Sequence, residues 1–283
     1  MTLVPAPGSA TPPIALAGEA GSPTGRPTPP IVLLDDDFLA RLADACPDVS
    51  LDPAARADAS RDWWPLAMIW ATQGQVGQVA GALARPTSVD QVAAVLRLCH
   101  EARIPVTPAA GRSSVVGGTV PVHGGVLLDL TGLSGIVSVD ATSGVVEVLA
   151  GTFGDAFEAE LSTNHGLTVG HWPQSMALST VGGWIACRGA GQLSSRYGKI
   201  EDIVLGLEVV LPDGRTIRTG GQLREALGPE LSRLFVGAEG TLGVITRAWL
   251  QAWPTPTGNG RSAWGYASFG AALEAMRRIV RRG

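Results

Sequence analysis

Three glycine-rich blocks constrain what this chain can fold into more than any other feature of its sequence. They read PAAGRSSVVGG (residues 108–118), HWPQSMALSTVGGWIACRGAGQLSSRYG (171–198) and VGAEGTLGVIT (236–246). Glycine adopts backbone conformations that other residues avoid, and it lets a ligand or a second stretch of backbone approach closely. Each block is therefore expected to form a tight turn, a close crossover of the chain or a binding loop.

The first block has the composition of an anion-binding loop. In a turn rich in glycine and serine, successive backbone N–H groups can point the same way and form a concave anion site. Ser113 and Ser114 add hydroxyl donors and Arg112 adds a positive charge, so a pyrophosphate suits this set. An ordinary connecting loop is the alternative. The block is not a P-loop, because GxxxxGK[ST] is absent, and no GxGxxG pattern follows a first strand.

The second and third blocks favour close packing of backbone against a neighbour. Small residues crowd the second block, so a flat ring could lie directly on its backbone, with N–H groups bonding the edge of the ring. A tight structural crossover would also need the glycines, but it would not need the serines, Gln174 or Arg188. Gly237, Gly240 and Gly243 recur at intervals of three in the third block and predict a turn that feeds a strand.

Composition argues against several classes of function. The net charge is −4 and no basic stripe is present, so we expect no nucleic-acid partner. Three scattered cysteines without CxxC spacing and four histidines without HxxxH spacing predict neither a disulfide framework nor a metal site. Reduced cysteines favour a cytoplasmic location. No apolar run approaches the ~20 residues of a transmembrane helix.

The pattern of apolar residues and turn signals predicts an α+β fold. Ser88 and Gln91 form a capping box for a helix, and PVTP reads as a short strand that leads into the first block. Two hairpins are expected, with Ser143-Gly144 and Asp213-Gly214 in their turns, and Gly166 closes a helix between them. Helices and strands alternate without a regular parallel βαβ rhythm, which favours α+β over a doubly wound sheet.

The two ends of the chain differ from its middle. Proline interrupts every apolar run in residues 1–30, which we interpret as a disordered tail, and residues 31–78 have a helical pattern. The final stretch, SFGAALEAMRRIVRRG, is an amphipathic helix with no later element to pack against. We therefore interpret residues 257–283 as a linker and the first helix of a further domain, and the chain as an N-terminal fragment.

The order of the motifs resembles a known family. The run from RPTSVDQVAAVLRLCHEARIPVTP through VLPDGRTIRTG to GAEGTLGVIT resembles the FAD-binding domain of the vanillyl-alcohol oxidase and p-cresol methylhydroxylase (PCMH) superfamily, over residues 79–256. The resemblance implies two α/β subdomains that hold FAD, and a C-terminal substrate domain that this chain lacks. Within the superfamily, STVGGWIACRGAG and YGKIEDIV, with Trp184 and Arg188, are most similar to the alkylglycerone-phosphate synthase family. The glycolate-oxidase and D-lactate-dehydrogenase branch shares GLEVVLPDG.

The resemblance places FAD-binding residues in four segments. The first segment comprises Pro108, Ala109, Ala110, Gly111, Arg112, Ser113 and Ser114. The second comprises Gln174, Ser175, Met176, Ala177, Leu178, Ser179 and Thr180. The third comprises Cys187, Arg188, Gly189 and Ala190. The fourth comprises Glu239, Gly240, Thr241, Leu242, Gly243, Val244 and Ile245.

The first segment departs from the family pattern, which has a glycine triplet followed by threonine or serine. Here Ala110 and Arg112 flank a single Gly111, and Arg112 could either add charge to the pyrophosphate site or point to solvent. The segment contains neither histidine nor cysteine, so the expected FAD is non-covalent. Gly111 and Gly183 are expected to be positions of close backbone approach.

The resemblance leaves three functions open. A synthase would replace the acyl group of acyl-dihydroxyacetone phosphate by a fatty alcohol without net redox change. A dehydrogenase would pass a hydride from a 2-hydroxy acid to FAD, and a non-catalytic flavin-binding module is the third alternative. The family's catalytic residues lie in the later domain, so none is assigned here, although the resemblance places His171 near the flavin. A homodimer is compatible with the resemblance.

Overall fold

The computed structural model describes residues 12, 14–18, 21–24, 29–223, 228–258, 260 and 262–282. A mostly parallel sheet and a separate antiparallel sheet are both combined with helices, so the predicted α+β class is confirmed. The first part of the chain contains β1 (Ser22–Pro23), α1 (Asp36–Ala45), β2 (Val49–Ser50), α2 (Pro53–Ala59), α3 (Pro65–Ala71), β3 (Gln75–Val76), β4 (Ala82–Ala84), α4 (Val89–Ala102), β5 (Val106–Ala109) and β6 (Val126–Asp129). The second part contains β7 (Ile136–Asp140), β8 (Val145–Leu149), α5 (Gly154–His165), β9 (Leu167–Thr168), α6 (Val181–Ala186), α7 (Ser194–Tyr197), α8 (Ile200–Ile203), β10 (Val204–Val210), β11 (Thr216–Gly220), α9 (Ser232–Phe235), β12 (Val244–Gln251), β13 (Trp253–Pro254) and α10 (Phe269–Val280).

The first sheet has four strands in the order β2-β4-β6-β5. Strands β4, β6 and β5 are parallel, and β2 pairs antiparallel with β4 at the edge. Helix α4 connects β4 to β5, so the predicted helix after Ser88 and the predicted strand at PVTP are both present. The first glycine-rich block follows β5 directly and connects it to β6, which places the first segment at the carboxyl end of a parallel strand.

The second sheet has five antiparallel strands in the order β11-β10-β12-β8-β7. It contains both predicted hairpins, β7–β8 and β10–β11, with their turns at the expected residues. Strand β12 lies in the centre of this sheet, between β10 and β8. The fourth segment runs into β12, so its backbone is held by the middle of the sheet.

Each sheet has its own hydrophobic core, and the two cores meet. Phe157, Leu161 and Ile185 of the helices pack on the second sheet, whereas α1 and α4 cover the first. Val210 and Val244, from the second sheet, belong to the core of the first. The two subdomains are therefore packed directly against each other where β12 begins.

Helix α4 begins almost as its sequence predicts. The Ser88 side chain caps the helix by accepting a hydrogen bond from the Gln91 amide at 3.3 Å. The Gln91 side chain accepts from the amide of Thr87 at 2.8 Å, one residue earlier than a capping box requires. The helix ends at Ala102, where Arg103 adopts a left-handed conformation with φ of 55°.

Part of the predicted N-terminal tail is ordered, which corrects the prediction of disorder for those residues. Strand β1 pairs in parallel with β3. The Ala17 amide donates to the carbonyl of Ala71 at 2.9 Å, and the Arg61 guanidinium donates to the carbonyl of Ile14 at 2.6 Å. The stretch is held by backbone hydrogen bonds, which a prediction from composition does not detect. Residues 1–11, 13, 19–20 and 25–28 of the tail lie outside the described residues.

Helix α10 forms at the C-terminal stretch for which the amphipathic pattern predicts a helix. Ser268 caps it by accepting from the amide of Ala271 at 3.2 Å. None of its residues is buried, and Phe269 and Ile279 are 83% and 67% exposed. Its role as the first helix of a further domain stays a prediction.

Candidate cofactor site

The first segment presents a row of free backbone donors. It leaves β5 at Ala109 and turns at Arg112, which has a φ of 52°. Within the described part of the chain, the amides of residues 111–114 donate no hydrogen bond. Successive free N–H groups beside a left-handed residue form a concavity that binds anions. A loop with this arrangement can bind an anion.

Of the two roles that the sequence left open for Arg112, the structure excludes a side chain that points to solvent, and a contribution of its charge to the pyrophosphate site stays a prediction. Its guanidinium is only 9% exposed, and Nη2 lies 3.3 Å from the Oδ2 atom of Asp58. Nη1 donates to the backbone carbonyl of the same residue. The side chain does not point to solvent, and its charge is paired within the protein. Asp58 is a site residue that sequence analysis missed, because 54 residues separate the partners.

The first and second segments are in direct backbone contact. A Cβ atom on Gly111 would lie 2.3 Å from the carbonyl oxygen of Leu178 and 3.1 Å from the Cα of Ser179. Gly111 is thus confirmed as a position of close backbone approach. Ser179 is held in turn, because its hydroxyl accepts a hydrogen bond from the indole of Trp184 at 2.7 Å. Trp184, which carries part of the family likeness, therefore fixes the second segment.

Gly183 is not a position of close approach by the described protein residues, and close approach by the cofactor at Gly183 stays a prediction. The nearest atom to a Cβ placed there is the Thr180 hydroxyl, at 3.3 Å. The crowded glycine is its neighbour Gly182, whose Cβ would lie 2.7 Å from the Cβ of Ala150. Both belong to α6, and successive helical residues face directions about 100° apart, so only one can face this neighbour.

The third and fourth segments complete a continuous set of contacts. The amide of Glu239 donates to the carbonyl of Ala186 at 3.1 Å, which joins the fourth segment to the residue just before the third. A Cβ on Gly240 would lie 2.4 Å from the Cγ of Pro108, so the fourth segment also packs on the first. The structure thus brings together all four segments, of which the first and the fourth are far from the other two in the sequence.

Left-handed backbone recurs in these segments at residues other than glycine. Arg112, Arg188 and Glu239 have φ values of 52°, 52° and 49°. Among the described residues, Arg103 at the end of α4 is the only other non-glycine residue with positive φ. Such conformations cost free energy and persist only where the surroundings enforce them, which is common at binding sites.

The side chain of Arg188 pairs with Glu201 of α8. Its Nε lies 3.2 Å from the Oε1 atom of Glu201, which Lys199 also contacts at 2.6 Å. Burial raises the pKa of Glu201, but the hydrogen bonds from Lys199 and Arg188 outweigh it and hold the pKa below the ordinary value. The carboxylate therefore stays ionised near neutral pH and anchors Arg188.

His171 is buried beside the third segment without any partner for its ring. Its exposure is 0%, and neither Nδ1 nor Nε2 makes a hydrogen bond with the residues that the structure describes. The ring lies 4.8 Å from that of Trp184, and a Cβ on Gly189 would be 3.4 Å from Nε2. Burial lowers the pKa of His171 to about 4, so the ring is neutral at physiological pH. A neutral imidazole keeps one donor and one acceptor available for a ligand.

A groove of about 770 Å³ opens beside the contact between the first and fourth segments. One wall belongs to α4 and the start of β5. The predicted site residues on the groove are Pro108, Gly240, Thr241, Gly243 and Val244. No described helix has the length and apolar character needed to cross a membrane.

The sequence matches the family model described as FAD binding domain over residues 80–220. Glycolate oxidase subunit GlcD of Bacillus subtilis (strain 168) is 35% identical over 208 residues, which cover 73% of this chain and 44% of that protein. Alkyldihydroxyacetonephosphate synthase of Trypanosoma brucei brucei is 30% identical over 228 residues, which cover 79% of this chain and 36% of that protein.

Solved structures show the same fold. A structure of alkyldihydroxyacetonephosphate synthase superposes with a TM-score of 0.77 at 25% identity, over 96% of this chain and 50% of that one. Substrate-bound p-cresol methylhydroxylase gives a TM-score of 0.67 at 21% identity, over 84% of this chain and 46% of that one. The chain spans half the length or less of all four proteins. The predicted PCMH-type fold is confirmed, and residues 80–220 belong to the FAD binding domain family, with FAD as the cofactor.

Proposed function

We propose that the four segments hold FAD non-covalently, with its diphosphate on the first segment. The observation that carries this proposal is the row of free amides at residues 111–114. Backbone N–H groups bind phosphate oxygens well, and they do so without adding a charge that would need to be paired elsewhere. The guanidinium donors of Arg112 are directed to Asp58, so the backbone is proposed as the main donor to the diphosphate.

The second and third segments are proposed to contact the flavin ring. Ser179 of the second segment accepts a hydrogen bond from the indole of Trp184, and Gly189 of the third segment lies beside His171, whose ring lies 4.8 Å from that of Trp184. These aromatic rings pack the two segments together, which supports a shared role for them. When bound, FAD supplies an electron-accepting ring, while this chain binds it, orients it and excludes water.

The experiment is a titration of the flavin-free 283-residue chain with FAD, followed by acid precipitation. We expect saturable quenching of flavin fluorescence and recovery of intact FAD in the acid supernatant. Flavin that stays with the pellet would contradict non-covalent binding. No binding after reconstitution would contradict the assignment of the four segments. Ser113→Ala serves as a mild variant, and Gly111→Val as one that blocks the contact between the first and second segments.

For the whole protein, we propose an activity of the alkylglycerone-phosphate synthase type. The likeness of the block around Trp184 and Arg188 supports it, and so does the superposition on a synthase structure over 96% of this chain. An alternative is a 2-hydroxy-acid dehydrogenase, which the similarity to glycolate oxidase subunit GlcD supports. A flavin-binding module without catalysis is the third alternative. The substrates proposed are acyl-dihydroxyacetone phosphate and a fatty alcohol, or a 2-hydroxy acid.

Product analysis separates these functions, provided that it is made on a chain extended to the full length of the relatives. Formation of an ether lipid from acyl-dihydroxyacetone phosphate and a fatty alcohol would support the synthase. Anaerobic bleaching of the flavin by glycolate or D-lactate would support the dehydrogenase. Binding of FAD with neither reaction would support the module.

A further inference from the structure

Three contacts tie the N-terminal helices to the loop that contains the first segment. Asp58 of α2 pairs with Arg112. The amide of Trp63 donates to the carbonyl of Ser114 at 2.9 Å. A Cβ on Gly117 would lie 3.0 Å from the ring of Trp64, so the loop lies against this ring. The family model begins at residue 80, yet a segment before it contacts the proposed diphosphate loop.

Arg112 occupies a conformation that favours glycine. Its φ is 52°, and a left-handed conformation costs free energy in a residue with a Cβ. A glycine would adopt it without this cost. The arginine side chain is nevertheless buried and makes contacts to both the carboxylate and the backbone carbonyl of Asp58. These contacts enforce the left-handed turn from outside the loop.

The carboxylate of Asp58 serves two guanidinium groups. Its Oδ1 lies 2.5 Å from Nη2 of Arg61, a residue whose side chain is only 2% exposed, and its Oδ2 faces Arg112. Arg61 also donates to the carbonyl of Ile14, so it cannot follow a moving loop. The Asp58–Arg61 ion pair therefore holds Arg112 against a part of the protein that is anchored by its own hydrogen bonds.

We propose that Asp58 is a positioning residue for FAD, which acts by holding Arg112 in its left-handed conformation. This inference rests on the proposed function of the first segment. The turn at Arg112 sets the direction of the free amides at residues 111–114. Without Asp58 the loop samples other conformations. The apparent Kd for FAD then equals the intrinsic Kd divided by the fraction of molecules whose loop is in the binding conformation. If a tenth of the loops remain competent, FAD binds about tenfold more weakly.

The test measures the FAD Kd of the 283-residue chain by flavin fluorescence, with the thermal midpoint in parallel. Asp58→Asn and Arg112→Gly are each expected to raise the Kd about tenfold. The double variant is expected to bind no more weakly than the weaker single variant, because both changes remove one interaction. Arg112→Lys keeps a positive charge, so its Kd should fall between those of the wild type and Arg112→Gly.

Two control variants separate positioning from general stability. Glu208 also faces two guanidinium groups, those of Arg218 and Arg247, on the outer face of the second sheet. Glu208→Gln should lower the thermal midpoint and leave the Kd unchanged. Arg103 also has a left-handed backbone conformation, but it lies outside the four segments. Arg103→Gly therefore measures how much the thermal midpoint rises when glycine replaces an arginine in this conformation.

Several outcomes would overturn the proposal. If Arg112→Gly has the Kd of the wild type, the Asp58–Arg112 ion pair does not contribute to FAD binding. An equal rise of the Kd in Glu208→Gln would show that the effect is loss of stability. If Asp58→Asn does not fold, the comparison of Arg112→Gly with Arg112→Lys still decides. A wild-type chain that binds no FAD would refute the proposed function, and the role of Asp58 with it.

Discussion

Replacement of Gly111 by alanine tests the contact on which the candidate site depends. The new Cβ would lie 2.3 Å from the carbonyl oxygen of Leu178, so the two segments must separate by about 1 Å to reach ordinary contact. Overpacking of this kind costs about 1–3 kcal/mol. The φ of Gly111 is not among the positive values, so alanine also lowers the entropy of the unfolded chain and recovers about 0.4–1 kcal/mol. With the middle of both ranges, the net loss of unfolding free energy is about 1–2 kcal/mol.

The assay is thermal unfolding of the flavin-free protein. A loss of this size lowers the midpoint by roughly 2–8 °C in a chain of this length. Gly183→Ala is the matched control, because its Cβ would have only the Thr180 hydroxyl nearby, at 3.3 Å. Alanine is better than glycine inside a helix by about 0.5–1 kcal/mol, so the control should raise the midpoint. A midpoint for Gly111→Ala at or above that of the wild type would refute the reasoning.

Three further predictions follow from the contacts of single residues and one helix. The pKa of His171 is about 4 in the folded state and ~6.5 in the unfolded state. Between these values only the unfolded state binds the proton, so the free energy of unfolding decreases as the pH falls. Denaturant titrations at pH 7 and 4.5 should show that the wild type loses about 2–3 kcal/mol more than His171→Gln. Ser88→Ala removes the cap of α4 and should lower the unfolding free energy by about 0.5–2 kcal/mol in the same assay. Amides of α10 should exchange with deuterium faster than those of β12, since α10 buries no residue; equal protection would contradict this.

Much of the fold was predictable because its signals are local. The hairpin turns at Ser143-Gly144 and Asp213-Gly214 and the cap at Ser88 depend on residues a few positions apart, and the structure has all three. The four segments were predicted through a resemblance, and the structure shows that they touch. Their role in binding FAD stays a proposal.

The features that were missed depend on distant partners or on the phase of a helix. Nothing near Asp58 in the sequence indicates that it pairs with Arg112; the only signal was an arginine where the family has glycine. Sequence could not decide whether Gly182 or Gly183 faces Ala150, because that depends on how α6 is rotated. The order at β1 comes from backbone pairing with β3, which side-chain composition does not encode.

The central place of β12 has a consequence for synthesis of the chain on the ribosome. The first sheet can form once Asp129 has emerged, but β8 and β10 each lack a neighbour until β12 follows, where Leu149 pairs with Arg247. Until then both strands have open edges, which invite pairing with other chains. A product that stops at residue 220, where the family model ends, would keep three of the four segments and leave that gap open. We expect such a truncated chain to aggregate rather than to bind FAD weakly.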